Sequence, residues 1–218
     1  MSVLGCPSPV KSIAGAMLLA LSLGGCAALG LGSKEAVPAF DLSAPPTVSR
    51  AGAIRGQLVI PEPTALSVLD TERVVVRPED GQVATLGGAQ WSDRLPKLLQ
   101  ARVLQAFENS GRLRSVGRPG EGITGDYQLL IDVRAFQLTV RPSPAGDVEI
   151  AVKILNESSG RVVAARVFRA SSPAAGTDGP QAVAAIDAAF QNVTAQMIGH
   201  QLGEFARFLI EESIQLLP

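Results

Sequence analysis

Apolar and polar residues repeat with period two over several stretches and with period near 3.6 over two others. "PAFDLSAPP" gives a short strand closed by Pro45 and Pro46. "GQLVIPEPTAL" gives an apolar strand to Ile60, stopped by Pro61 and Pro63. "ERVVVRPEDG" gives a strand over Arg73–Arg77 and a turn over Pro78–Gly81. After Trp91 the period lengthens. Leu95, Leu98, Leu99, Val103, Ala106 and Phe107 fall on one face of a helix. Asp93 is the better N-cap, because it puts Pro96 at the third helical position, where its missing N–H removes no helical bond. Asn109, Ser110 and Gly111 end that helix.

The next block reads as strands. In "DYQLLIDVRAFQLTVR" the apolar set is Tyr127, Leu129, Ile131 and Val133, then Phe136, Leu138 and Val140. The phase flips by one residue, so the spacing predicts a β-bulge or strong bend at Ala135–Phe136. "RPSPAGD" is a hairpin loop. Val148, Ile150, Val152 and Ile154 alternate on the following strand, "NESSGR" turns the chain, and "VVAARVFRA" completes a three-stranded meander. After the loop "SSPAAGTDGP", a long helix runs from Gln181 to about Ile214. Its first half carries Ile186, Phe190, Val193 and Met197. Its second half carries Ile198, Leu202, Phe205 and Leu209, rotated by roughly 120° at 100° per residue. Gly199 and Gly203 sit at the switch. Either the helix bends there, or its second half packs on something other than its own sheet. A neighbouring copy, giving a homo-oligomer, is one such partner. Together these elements predict an α+β domain: a mainly antiparallel sheet with two helices covering one face.

The N-terminus changes the domain count. Lys11 is the only charged residue before Lys34. "IAGAMLLALSL" over Ile13–Leu23 is eleven residues long. A bilayer span needs about 20, whereas a signal-peptide core needs about 7–15. "LGGC" (Leu23 to Cys26) then resembles the bacterial lipobox, at which the cysteine is lipidated and the chain is cut just before it. The alternative is an ordinary secretory signal that leaves Cys26 a free thiol, which is unusual in an oxidising compartment. Lipidation accounts for both cysteines of the chain: Cys6 is discarded and Cys26 becomes the anchor. A lipobox cysteine resembles one carrying a diacylglycerol and an amide-linked acyl chain, and each buried methylene contributes about 0.8 kcal/mol. Ala27, not Asp, follows the cysteine, which by the sorting rule of enteric-type bacteria implies the outer membrane. The organisation expected is a signal peptide over residues 1–25, a lipidated cysteine and flexible tether over 26–37, and the folded domain over 38–218. The tether Ala27–Val37 reaches at most about 35–40 Å.

Composition and motifs narrow function by subtraction. The net charge of −1 offers no basic footprint for nucleic acid, and no repeat of 20–50 residues is present. His200 is the only histidine and has no second histidine or cysteine beside it for a metal; a solvent-facing or helix-stabilising role is expected. No "GxSxG" and no phosphate-cradling glycine loop occur in the mature chain. Glu211 and Glu212 are helix neighbours that do not face each other. No catalytic residue, metal or cofactor is expected. Arg102 falls inside the apolar stripe of the first helix. It either snorkels along its stem or pairs with a carboxylate such as Asp132. Trp91, the sole tryptophan, is either a hydrophobic anchor for the helix start or an exposed partner contact. Trp91, Arg94, Leu202, Phe205 and Leu209 are the candidate partner-binding residues, and Cys26 is the lipidation site.

These residues resemble a family. "FDL" at Phe40–Leu42, "LDTERVV" at Leu69–Val75 and above all "WSDRLP" at Trp91–Pro96 are similar to the ABC-type transport auxiliary lipoproteins, the group containing paraquat-inducible protein C. "DYQLLIDVRAFQ" and "NESSGRVVAARVF" match its strand pair in character, so the likeness covers nearly all the mature chain. Phe40 stands where the family often has Tyr, and "LGGAQW" is glycine-rich where an aromatic is common. The resemblance implies a non-enzymatic accessory of a lipid-trafficking system between the two membranes. Its implied partners are an MCE-domain periplasmic protein and an ABC permease with its ATPase. A regulatory lipoprotein that activates a periplasmic cell-wall synthase is the alternative, and the short tether argues against it.

Overall fold

The computed structural model describes residues 36–44, 54–79 and 81–215. The expected signal peptide, Cys26 and all but the end of the tether lie outside the described residues. From Val37 onward the chain forms one compact unit. In chain order the elements are β1 (Ala39–Phe40), β2 (Ile54–Val59), β3 (Thr64–Ala65), β4 (Arg73–Arg77), β5 (Ala84–Trp91), α1 (Leu95–Asn109), β6 (Leu113–Gly117), β7 (Tyr127–Thr139), β8 (Ala145–Asn156), β9 (Val162–Pro173) and α2 (Gly179–Gln215).

The strands make one nine-stranded sheet, and β7 is its spine. Along one edge β7 pairs antiparallel with β8, from Tyr127 opposite Asn156 to Thr139 opposite Ala145. Along its other edge it meets β2 at Tyr127–Gln128, β3 at Asp132–Val133 and β4 at Gln137–Thr139, all three parallel. The chain from Ile54 to Arg77 therefore runs beside β7 as one interrupted strand. Pro61 and Pro63 fall in the first interruption, where neither has an N–H to give a ladder. The β1–β5 and β2–β6 pairs are parallel too, while β4–β5 and β8–β9 are antiparallel. The expected antiparallel pairing holds for the long β7–β8–β9 meander, while the parallel pairs make the sheet as a whole mixed. Side-chain alternation fixes a strand and its faces, but not the direction of its neighbour.

The bulge predicted in β7 is present. Val133 faces Ile150 and Ala135 faces Glu149, so Arg134 is the extra residue, one place before the predicted step. The two apolar sets consequently share one face: Tyr127, Leu129, Ile131, Val133, Phe136 and Leu138 are all at most 4% exposed. Val148, Ile150, Val152 and Ile154 of β8 continue that face. The loop before β8 is shorter than "RPSPAGD", because Ala145 already pairs. Three strands carry little sequence signal. β3 is two residues long, β6 lacks clean alternation, and β5 contains Gly87 and Gly88. Gly88 has φ 75°, a left-handed value, and the β4–β5 register slips across it.

α1 buries the predicted stripe: Leu95, Leu98, Leu99, Val103, Ala106 and Phe107. Its N-cap is Arg94, one residue later than the expected Asp93, and no side chain caps it. The Asp93 carboxylate instead accepts the Arg94 N–H at 2.8 Å and pairs with Lys97 at 2.7 Å. Pro96 still lies in the first turn, where no N–H is needed. α2 begins two residues earlier than expected, at Gly179, where the Asp178 carboxylate accepts the Gln181 N–H at 3.0 Å. It lies across β8 and β9 and also reaches β5 and β7. Ile186, Phe190, Val193 and Met197 are each 0% exposed. The helix continues through Gly199 and Gly203; the side chains of Leu202, Phe205 and Leu209 lie outside the described residues. Inward residues of the sheet and both helices form one core. Gly146 fixes its thickness, because a Cβ there would sit 2.3 Å from the Ala185 carbonyl carbon and the Ile186 nitrogen.

Candidate functional site

Two constellations stand out: a strap where the folded domain begins, and the head of α1. At the strap, β1 lies parallel to the end of β5, with Phe40 opposite Trp91. The Gln90 N–H donates to the Pro38 carbonyl at 3.0 Å and the Ser92 N–H to the Phe40 carbonyl at 2.7 Å. Leu42 is 1% exposed and plugs the core. The residues on either side of it are held by the two helices. Asp41 pairs with Arg102 of α1. The Ser43 N–H donates to the Asp187 carboxylate of α2 at 2.9 Å, and Gln191 Nε2 donates to the Ser43 carbonyl at 2.8 Å. Each such hydrogen bond contributes about 0.5–1.5 kcal/mol. The "FDL" stretch thus fastens the start of the domain to both helices. Arg102 is a partnered arginine, but its partner is Asp41 and not Asp132. Asp132 lies on the opposite side of β7 from the core, 3.3 Å from Arg134.

At the head of α1, Trp91 is 1% exposed, so the surface-contact reading of Trp91 is corrected to the anchor reading. Its ring meets Phe136 edge-on at 5.6 Å and 71°, and Phe136 meets Phe190 at 5.9 Å. Those three rings tie β5, β7 and α2 together. Arg94 lies on the surface. Its Nε donates to Asp70 at 2.8 Å and its Nη1 is 3.2 Å from Glu62. The hydrogen bond with Asp70 raises the Arg94 pKa above its ordinary value, and the one from Lys97 holds Asp93 below the usual aspartate range. Arg94 thereby pins the turn at Leu66–Asp70, where the Leu69 and Asp70 N–H groups donate to the Leu66 carbonyl. That turn presents Leu66 at 70% exposure and Val68 at 37%. Neither was marked by periodicity, since a lone apolar residue in a loop has no phase to read.

The uncovered face of the meander carries a charge ladder. Glu149 accepts from Arg169 at 2.7 and 3.0 Å and lies 3.7 Å from Arg134. The Arg169 hydrogen bond holds the Glu149 carboxyl below the usual glutamate range. His200 meets the Phe168 ring edge-on at 5.9 Å. Among the described residues, no group of three or more His, Cys, Asp or Glu is placed to hold a metal. No helix among them is long and apolar enough to cross a membrane.

The strap thus holds the start of the described domain to both helices, and Arg94 at the head of α1 is paired with Asp70 and Glu62. Residues 40–198 match the family of ABC-type transport auxiliary lipoprotein components, and the chain belongs to that family. An uncharacterized protein of Bradyrhizobium diazoefficiens is 34% identical over 161 residues, covering 73% of this chain and 43% of that protein. The chain therefore spans less than half the length of that relative. The crystal structure of a Xanthomonas campestris protein has 32% identity and a TM-score of 0.73, covering 78% of this chain and 97% of that one. A hypothetical protein of Chlamydia trachomatis shares the fold at a TM-score of 0.50 and 8% identity, over 69% and 98% of the two chains. The family is described as the lipoprotein component auxiliary to ABC-type transport.

Proposed function

We propose that the protein is an outer-membrane lipoprotein of an MCE/ABC-type intermembrane lipid transport system, in which it acts as a non-enzymatic docking component. The family match over residues 40–198 carries this reading. The lipobox-like "LGGC" supports anchoring through Cys26, and Ala27 supports the outer membrane. The strap supports it mechanically, since the tether leads directly into a segment bonded to both helices. Its partners are an MCE-domain periplasmic protein and, through it, an ABC permease with its ATPase. The docking face is the head of α1, where Arg94 and the exposed Leu66 and Val68 form a small mixed patch. Trp91 holds that patch in place from inside. The apolar spacing of Leu202, Phe205 and Leu209 in the sequence supports a homo-oligomer as a further part of the proposal.

Two experiments test this. Cys26→Ser releases the protein from membranes and weakens the permeability barrier. A soluble Cys26→Ser protein that fully complements a deletion removes the anchoring part. Light scattering in mild detergent gives an oligomer that Phe205→Glu dissociates. A monomeric wild type, with Phe205→Glu fully stable, removes the oligomer.

A further inference from the structure

We infer that the free edge of β9 and the adjoining wall of α2 form a groove that takes an extended, acidic segment of a partner protein as a further strand of the sheet. β9 is twelve residues long. Among the described residues it pairs only with β8. Its outer side therefore presents a row of main-chain donors and acceptors, the template that proteins ordinarily blunt with lysine, proline or a short strand. β9 has no lysine, and its only proline is its last residue, Pro173. The neighbouring space is built to hold more than backbone. A cavity of about 360 Å³ opens between Ser172 and Pro173 at the end of β9 and Pro180, Ala184 and Ala188 on α2. Those α2 residues are four apart, so they share one face. Being small, they leave room for side chains beside the strand.

Charge decides the occupant. Arg161, Arg166 and Arg169 lie on or beside this edge, and no acidic residue occurs between Glu157 and Asp178. Arg169 is paired with Glu149. Arg166 lies 5.5 Å from the Phe168 ring centre. Neither Arg161 nor Arg166 makes an ion pair among the described residues. A second copy is the wrong occupant, because β9 against β9 brings together two strands that carry arginine and no acidic residue. Of the other outer strands, β6 contains Arg114 and is flanked by Arg112 and Arg118, and β1 is two residues long. An extended partner segment alternating acidic and apolar residues satisfies the edge, the groove and the charge together.

The test uses the full-length protein in detergent micelles and a capped octapeptide alternating valine and glutamate. A valine–lysine octapeptide is the control. The acidic peptide is expected to slow amide hydrogen exchange in β9 by about tenfold and to weaken as salt rises. The basic peptide binds at least about tenfold more weakly. Arg166→Glu reverses that preference. Ala184→Trp fills the groove from an exposed helix position and abolishes binding with unchanged circular dichroism. The inference is overturned by an absence of β9 protection, by equal binding of the two peptides, or by wild-type binding in Ala184→Trp. Concentration-dependent protection of β9 without peptide would seat a second copy there and overturn it as well. None of these outcomes depends on the transport reading.

Discussion

Gly146→Ala gives the sharpest test of how the sheet and α2 fit together. The new Cβ lands 2.3 Å from two backbone atoms of α2, whereas ordinary contact begins near 3.4 Å. Backbone cannot rotate away as a side chain can, so the helix must retreat by about 1.1 Å. A gap of about 0.5–1 Å forfeits a quarter to a half of each dispersion contact. The residues affected are Ile186, Ala189, Phe190 and Val193, all at 0% exposure. Overpacking of this kind costs about 1–3 kcal/mol, and a backbone obstacle places Gly146→Ala at the upper end, about 3 kcal/mol. In a chain of this size that lowers Tm by about 6–12 °C. Urea unfolding followed by tryptophan fluorescence reads it directly, because Trp91 is the sole tryptophan and is buried. Gly87→Ala is the control: nothing lies within 4 Å of its Cβ position, so a change within about 0.5 kcal/mol is expected. If Gly146→Ala matches Gly87→Ala in stability, the close helix–sheet contact is not what sets the spacing.

Two further perturbations probe the strap and the open face. Arg102→Met keeps the stem but loses the pair with Asp41, whose side chain is 51% exposed. Global stability should fall by less than about 1 kcal/mol, while amide exchange at Asp41–Ser43 accelerates; unchanged exchange there would show that the ion pair does not hold the strap. Glu149 has a folded pKa below its unfolded value, so its pair with Arg169 stabilises above that unfolded value and is lost as pH falls through the folded one. Glu149→Gln should therefore be less stable than wild type at pH 7, by under about 1 kcal/mol. The difference should shrink as pH is lowered below 4.5, the ordinary glutamate value, and a pH-independent difference would contradict the assignment.

What was legible in the sequence follows from which forces act locally. The β7 bulge was readable because Val133 and Phe136 must both be buried and a strand cannot bury both without an extra residue. The α1 stripe was readable for the same reason at helical period. Strand direction was not, since the partners of β2, β3 and β4 lie far along the chain on β7. The cap missed by one residue because Asp93 has two uses, a helix cap or a pair with Lys97, and the second prevails. Arg102 was marked as anomalous by its place in an apolar stripe, but Asp132 was named as its partner in place of Asp41, because the sequence does not show where β1 lies. Of the candidate contacts, Arg94 stays at the surface and Trp91 does not. Leu66 and Val68 needed the folded turn to become visible.

The proposed function requires docking to a transport partner. The most direct measurement places a photo-crosslinking side chain at Arg94 in living cells and identifies the adduct by mass spectrometry. A covalent product with an MCE-domain periplasmic protein, lost in the Cys26→Ser background, is the expected result. A product with a cell-wall synthase in its place, unaffected by loss of the MCE protein, would contradict it.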